Sequence, residues 1–208
     1  LGEIIHNEDV VEELRAQGLK VIDDLSQISS VNSALIIRSH GCLPHTYELA
    51  KKKGIKLIDA TCPIVKRIQQ LCRQFSQEEK RILIFGERDH EEVQSLLGFS
   101  GGSAIVIEGL DDIQKITVDQ DTVLISQSTK GEYNFSILKA ALVKKGLLES
   151  NVYNTICDDI KARQQRVKDL SKRVSAFLIL GSRSSANTRN LFEIARKNCR
   201  NCWIRGII

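Results

Sequence analysis

The chain has 208 residues, 42% of them apolar and 27% charged, with a formal net charge of +4. That balance excludes a disordered polymer. The small basic surplus, with only three Tyr and one Trp for stacking, argues against a nucleic-acid partner. No apolar run approaches the ~20 residues needed to span a bilayer.

The chain contains no Met and opens on Leu1-Gly2-Glu3, without a basic start leading into an apolar stretch. No targeting segment is visible, and the chain is expected to be a piece lacking at least an N-terminal portion. Short runs rich in Ile, Val and Leu then predict strands in order at Lys20–Ile22, Ala34–Ile37, Ile55–Ile58, Ile82–Phe85, Ala104–Ile107 and Thr122–Ile125. Three more follow at Val152–Ile156, Ala176–Leu180 and Trp203-Ile204. Amphipathic stretches such as Ile64–Phe75, Tyr133–Lys145 and Ile160–Lys172 lie between them. The alternation predicts βαβ units and several small parallel sheets.

Six cysteines stand at 42, 62, 72, 157, 199 and 202. Without a secretory signal, metal-binding, catalytic or buried cysteines are expected rather than disulfides. Two share a context. Ile58-Asp59-Ala60-Thr61-Cys62 runs from a predicted strand into a helix opened by Pro63, and Tyr153-Asn154-Thr155-Ile156-Cys157 does the same 95 residues later. Such a cysteine fits a small buried hydrophobe or, at a helix start that favours thiolate, a metal ligand. The Cys199-Arg200-Asn201-Cys202 spacing is that of a redox or zinc pair, and Cys72 reads as helix packing.

Polar clusters also fall at predicted strand ends: Arg38 to Gly41, Gly86 to Glu92, Ser126 to Thr129, and Gly181 to Thr188. In open α/β sheets these ends form the ligand crevice, and the following helix starts suit phosphate. His6, His40 and His90 are candidates to hold an anion, whereas His45 reads as a surface residue. Glu91 and Glu92 fit either a charge pair on a helix dipole or one acid in the crevice.

Taken together, these segments resemble the 4-hydroxy-3-methylbut-2-enyl diphosphate reductase (LytB/IspH) family. The resemblance rests on His6-Asn7, Ser39-His40-Gly41, Asp59 to Pro63, His90 to Val93, Ser126 to Thr129, Thr155 to Cys157 with Arg163-Gln164, and Gly181 to Asn187. It implies a trefoil of three small parallel-sheet α/β domains around a central 4Fe-4S iron–sulfur cluster. The domains are expected at residues 1–61, 62–156 and 157–208, the first and third incomplete. It implies three cysteine ligands, of which Cys62 and Cys157 are the second and third and the first is absent from this chain. A further diphosphate-contacting Ser is expected beyond the C-terminal end.

By position, the resemblance makes His6, His40, Ser185 and Asn187 diphosphate contacts, and His90 and Ser128 substrate contacts that also aid proton delivery. Glu92 becomes the proton donor. Glu91, whose side chain projects about 100° away around the helix, is expected to be dispensable. The implied reaction is reductive dehydroxylation to isopentenyl and dimethylallyl diphosphate, the last step of the non-mevalonate route. A ferredoxin- or flavodoxin-type donor and a cytoplasmic or plastid-type setting are implied with it. Three positions depart from the family pattern: Glu91 replaces a Pro, Ala186 a Ser and Ile160 a Thr. The rival readings are a cluster-free phosphate-binding α/β protein or degenerate paralogue, and a thiol redox protein using Cys199 and Cys202.

Overall fold

The computed structural model describes residues 2–5, 7–28 and 33–206. After α1 (Glu8–Ala16), capped by the Asn7 side chain, and a short 3-10 turn, the chain builds three small parallel sheets. In the first, β1 (Ala34–Ile37) pairs with β2 (Lys56–Asp59) in the register Ala34↔Lys56 to Ile37↔Asp59, with α2 (Pro44–Lys52) crossing between them. Leu35 and Ile37 turn inward and pack with Leu25, Ala50 and Ile55.

The middle sheet has the order β4-β3-β5 and is the best covered. Its strands are β3 (Arg81–Phe85), β4 (Ile105–Ile107) and β5 (Thr122–Ser126). Successive strand side chains point to opposite faces, so β3 feeds two cores. Ile82 and Ile84 pack with Ile68, Cys72 and Phe75 of α3 (Pro63–Gln77) and with Val93 and Leu96 of α4 (Glu91–Phe99). Leu83 and Phe85 pack on the other face with Ile113 of α5 (Leu110–Ile113) and with Phe135, Leu138 and Leu142 of α6 (Glu132–Lys144). Burial on both faces explains why β3 and β5 read as continuous apolar runs rather than as alternating ones. Cys72 is fully buried in this packing, as its place in the helix stripe predicts.

In the third sheet, β6 (Phe177–Leu180) pairs with β7 (Cys202–Arg205). Helix α7 (Asp158–Ser171) packs against α8 (Ala186–Arg196), which crosses between the two strands. One face of this sheet is open: Leu178, Leu180 and Trp203 are 55%, 62% and 52% exposed.

Two expected strands do not form among the described residues. Lys20–Ile22 pairs only through Ile22, whose carbonyl accepts the Gly2 N–H at 2.8 Å. Val152–Ile156 runs beside β5 with a single bridge, Leu124↔Val152. Its own side chains take over the ladder. Thr155 Oγ1 accepts the Ser126 N–H at 2.7 Å, and Asn154 Oδ1 accepts the Ile156 N–H at 3.2 Å. Such local side-chain bonds compete with sheet pairing. Cys157 therefore follows an irregular segment, not a strand end.

Candidate active site at the strand ends

The carboxyl ends of β1, β3 and β5 meet around the start of α4, at His90, Glu91 and Glu92. Helix α4 opens with His90 as N-cap, whose Nδ1 accepts the Glu92 N–H at 3.1 Å. That bond makes Nδ1 an acceptor, so the neutral ring carries its proton on Nε2. Glu92 is 1% exposed, and its carboxylate takes two hydrogen bonds from one residue at the end of β5. Ser128 N–H donates to Oε1 and Ser128 Oγ to Oε2, each at 2.7 Å. Burial pushes the Glu92 carboxyl up to about 7, against the lowering influence of those two bonds. A group poised there exchanges a proton at neutral pH.

The His40 ring, half-buried beyond β1, stands edge-on to His90, with ring centroids 5.4 Å apart and an interplanar angle of 87°. Glu91 reaches the same loop. Its Oε1 accepts from Arg38 Nη1 at 3.0 Å, with side chains 33% and 20% exposed. The two adjacent glutamates thus grip different segments: Glu91 the end of β1, and Glu92 the end of β5. Glu91 is thus engaged with Arg38.

Cys62 and Cys157 are the N-cap residues of α3 and α7, and neither makes a side-chain cap hydrogen bond. Both are free and half-buried. The Cys62 N–H donates to Ser39 O at 2.9 Å, next to His40, and the Cys157 N–H donates to Ser128 O at 3.0 Å. A continuous path of contacts therefore links the two helix starts: Cys62, Ser39, His40, His90, Glu92, Ser128, Cys157. Among the described residues no three His, Cys, Asp or Glu side chains gather closely enough for a single metal ion.

On the third sheet, Ser185 caps α8, with Oγ accepting the Thr188 N–H at 3.4 Å. Asn187, in the first turn, has its Oδ1 buried without a partner. Arg189 fastens the loop ahead of this helix to the middle sheet, donating to Ser184 O at 2.6 Å and to Glu87 Oε2 at 2.7 Å. Asn190 adds a bond to Thr129 O at 2.6 Å. His6 lies outside the described residues. His45 is exposed at the start of α2, as expected. Cys199 is buried and its Sγ contacts Asn201 O at 3.5 Å, while Cys202 opens β7.

Sequence reasoning missed Gln69, and gave no individual role to Arg38, Gln127 or Gln164, which fell within its polar clusters and motif segments. Gln127 Oε1 accepts the Glu87 N–H at 2.9 Å and so shapes the turn leading to His90. Gln69 left a visible signal: a polar residue within the apolar stripe of Val65, Ile68 and Cys72.

The model of the family described as LytB protein matches residues 1–206. The chain is 32% identical to the 4-hydroxy-3-methylbut-2-enyl diphosphate reductase of Campylobacter hominis, over 98% of this chain and 74% of that protein. It is 33% identical to the enzyme of the same description from Caldanaerobacter subterraneus, over 98% of this chain and 70% of that one. Its fold is similar to that of the E-1-hydroxy-2-methyl-but-2-enyl-4-diphosphate reductase of Plasmodium falciparum, with a TM-score of 0.88 and 25% identity, covering 98% of this chain and 64% of that one. A second solved structure, of (E)-4-hydroxy-3-methyl-but-2-enyl diphosphate reductase, matches with a TM-score of 0.68 and 34% identity, over 98% of this chain and 73% of that one.

Proposed function

The chain belongs to the LytB protein family, and from that premise we propose that it serves the reductive dehydroxylation of 4-hydroxy-3-methylbut-2-enyl diphosphate. The products are isopentenyl and dimethylallyl diphosphate. The observation that carries the proposal is Glu92: a buried carboxyl held by Ser128 beside His90 and poised at about 7.

A 4Fe-4S cluster is the cofactor this reading requires, and the two N-cap cysteines fit it. Each is a free thiol at a helix start, uncommitted to the cap. A cluster takes its thiolates at separate irons, which two separated helix starts supply better than a tight three-residue nest would. Cys62 and Cys157 would hold two of its irons. When bound, the cluster would supply electrons and Lewis acidity.

The chain's own residues do the rest. Glu92, protonated in part at neutral pH, delivers the proton that turns the substrate hydroxyl into water. Ser128 fixes both carboxyl oxygens, so the acid presents one geometry. His90 orients the first turn of α4 through Nδ1 and contacts the substrate beside Glu92. His6, His40, Ser185 and Asn187 hold the diphosphate, with the α8 N-terminus adding backbone donors. A small ferredoxin- or flavodoxin-type protein delivers the electrons. The trefoil arrangement of three domains meeting at the cluster, with boundaries near Cys62 and Cys157, belongs to the same proposal.

The test is anaerobic turnover. The whole protein, with the third cysteine expected outside these 208 residues, is loaded with iron and sulfide, reduced chemically and given the diphosphate, and the products are resolved by mass spectrometry; the 208-residue piece alone is expected to stay inactive. Formation of both isomers is expected. Colourless protein that binds the diphosphate and leaves it unreduced would sink the proposal in favour of a cluster-free phosphate binder.

A further inference from the structure

We propose that Gln69 and Gln164 are positioning residues that each fix the helix presenting a cysteine, Gln69 for Cys62 and Gln164 for Cys157. Their role towards a cluster rests on the reading above; their role towards the two helix starts does not.

The argument is a recurrence of local structure. Cys62 has φ −52° and ψ 134°, and Cys157 has φ −59° and ψ 133°. Three residues earlier, Asp59 Oδ1 accepts the Thr61 N–H at 3.0 Å and Asn154 Oδ1 accepts the Ile156 N–H at 3.2 Å. Each cysteine N–H donates to a serine carbonyl, that of Ser39 or of Ser128. Seven residues after each cysteine stands a buried glutamine, Gln69 at 4% and Gln164 at 5% exposure.

Gln164 returns directly to the chain just beyond its serine, and Gln69 does so through Ser95. Gln164 Nε2 donates to Lys130 O at 3.0 Å, and its Oε1 accepts the Glu132 N–H at 3.1 Å. Gln69 Nε2 donates to Ser95 Oγ at 2.7 Å, and that hydroxyl donates to Cys42 O at 3.1 Å. Gln69 also lies directly against Gly41, whose φ is +78° and where a Cβ would overlap the Gln69 amide. In both places a closed bracket results: serine carbonyl to cysteine N–H, two turns of helix, then glutamine back to the turn after the serine, directly for Gln164 and through the Ser95 hydroxyl for Gln69.

Seven residues advance an α-helix by about 10 Å and return to nearly the same face. One anchor at the cysteine would leave the helix free to pivot. A second anchor about 10 Å away sets its axis, and with it the direction of the thiol at its head. An aliphatic residue would fill either glutamine position without a buried polar group to satisfy. The amide's distinct contribution is to pin the neighbouring turn, at two backbone groups for Gln164 and by way of the Ser95 hydroxyl that bonds Cys42 O for Gln69.

The test uses the metal-free chain with Gln69→Met and Gln164→Met, which keep volume and remove the bonds. Amide hydrogen exchange is read by mass spectrometry over residues 62–68 and 157–163. Gln164→Met should speed exchange about 10-fold in 157–163 and leave 62–68 unchanged; Gln69→Met should do the converse. In the whole protein, after anaerobic loading with ferrous iron and sulfide, each variant should retain less iron than the unsubstituted protein and show an altered visible spectrum. Exchange unchanged in both segments, or raised equally along the whole chain, overturns the proposal. If exchange shifts as expected while the whole protein, carrying the third cysteine, takes up no cluster, the brace stands and the cluster reading falls.

Discussion

Replacing Glu92 by Gln should change how stability depends on pH, and the structure fixes both sign and size. Burial raises this carboxyl from its ordinary 4.5 to about 7. Between those values the folded chain holds a proton that the unfolded chain has released, so stability falls as pH rises and levels off above about 7. At about 1.4 kcal/mol for each tenfold, the loss attributable to this one group is on the order of 3 kcal/mol. It is fully present as stability below pH 4.5 and fully lost above 7. Glutamine does not titrate. Its oxygen can accept the Ser128 N–H and its amide can face the Ser128 hydroxyl, which rotates to accept, so the fold is kept. Urea unfolding followed by far-UV circular dichroism, at pH values from 4.5 to 8, measures the difference. The variant should gain on the unsubstituted chain by about 3 kcal/mol across that range. Two parallel profiles would refute the claim that Glu92 is a buried acid poised near neutrality. In the loaded enzyme the same substitution should lower kcat about 100-fold or more with little change in KM.

Ser128→Ala removes a donor that lowers the Glu92 carboxyl, so the alkaline limb of the pH–rate profile should move to higher pH; an unmoved limb would detach Ser128 from the acid. Glu91→Gln breaks the pair with Arg38 and should raise KM for the diphosphate by loosening the His40 loop, while stability changes by less than about 1 kcal/mol because the pair is part-exposed. Unchanged KM there would show that His40 is held without it. Asn187→Ala should leave stability within about 0.5 kcal/mol, since its buried oxygen has no partner to lose, yet weaken diphosphate binding by calorimetry.

Much of this was legible in the amino-acid order. The middle sheet declared itself because strands buried on both faces must be apolar throughout, as Ile82–Phe85 is. The N-cap positions of Cys62 and Cys157 followed from what comes after them, Pro63 in one case and an acidic first turn in the other. Val152–Ile156 misled because β-branched residues signal a strand, whereas Asn154 and Thr155 spend their side chains on the backbone groups a ladder would use. The Arg38–Glu91 pair spans 53 residues, and no local pattern announces a contact of that range. Gln69 stood in view as a polar residue in an apolar stripe, and Gln164 within the Arg163-Gln164 segment. What each holds was hidden, because its partners lie 26 and 34 residues away along the chain.

The open face of the β6–β7 sheet makes the chain an optical instrument of narrow scope. Trp203 is the sole tryptophan and stands half exposed opposite Leu178. Its emission, excited selectively at the red edge of the ultraviolet band, reports one strand of one sheet. Anything laid across that face dries the indole and moves its emission to shorter wavelength, with no dye attached. Events confined to Glu92 and the middle sheet, whose strands contain no tryptophan, leave it dark to them.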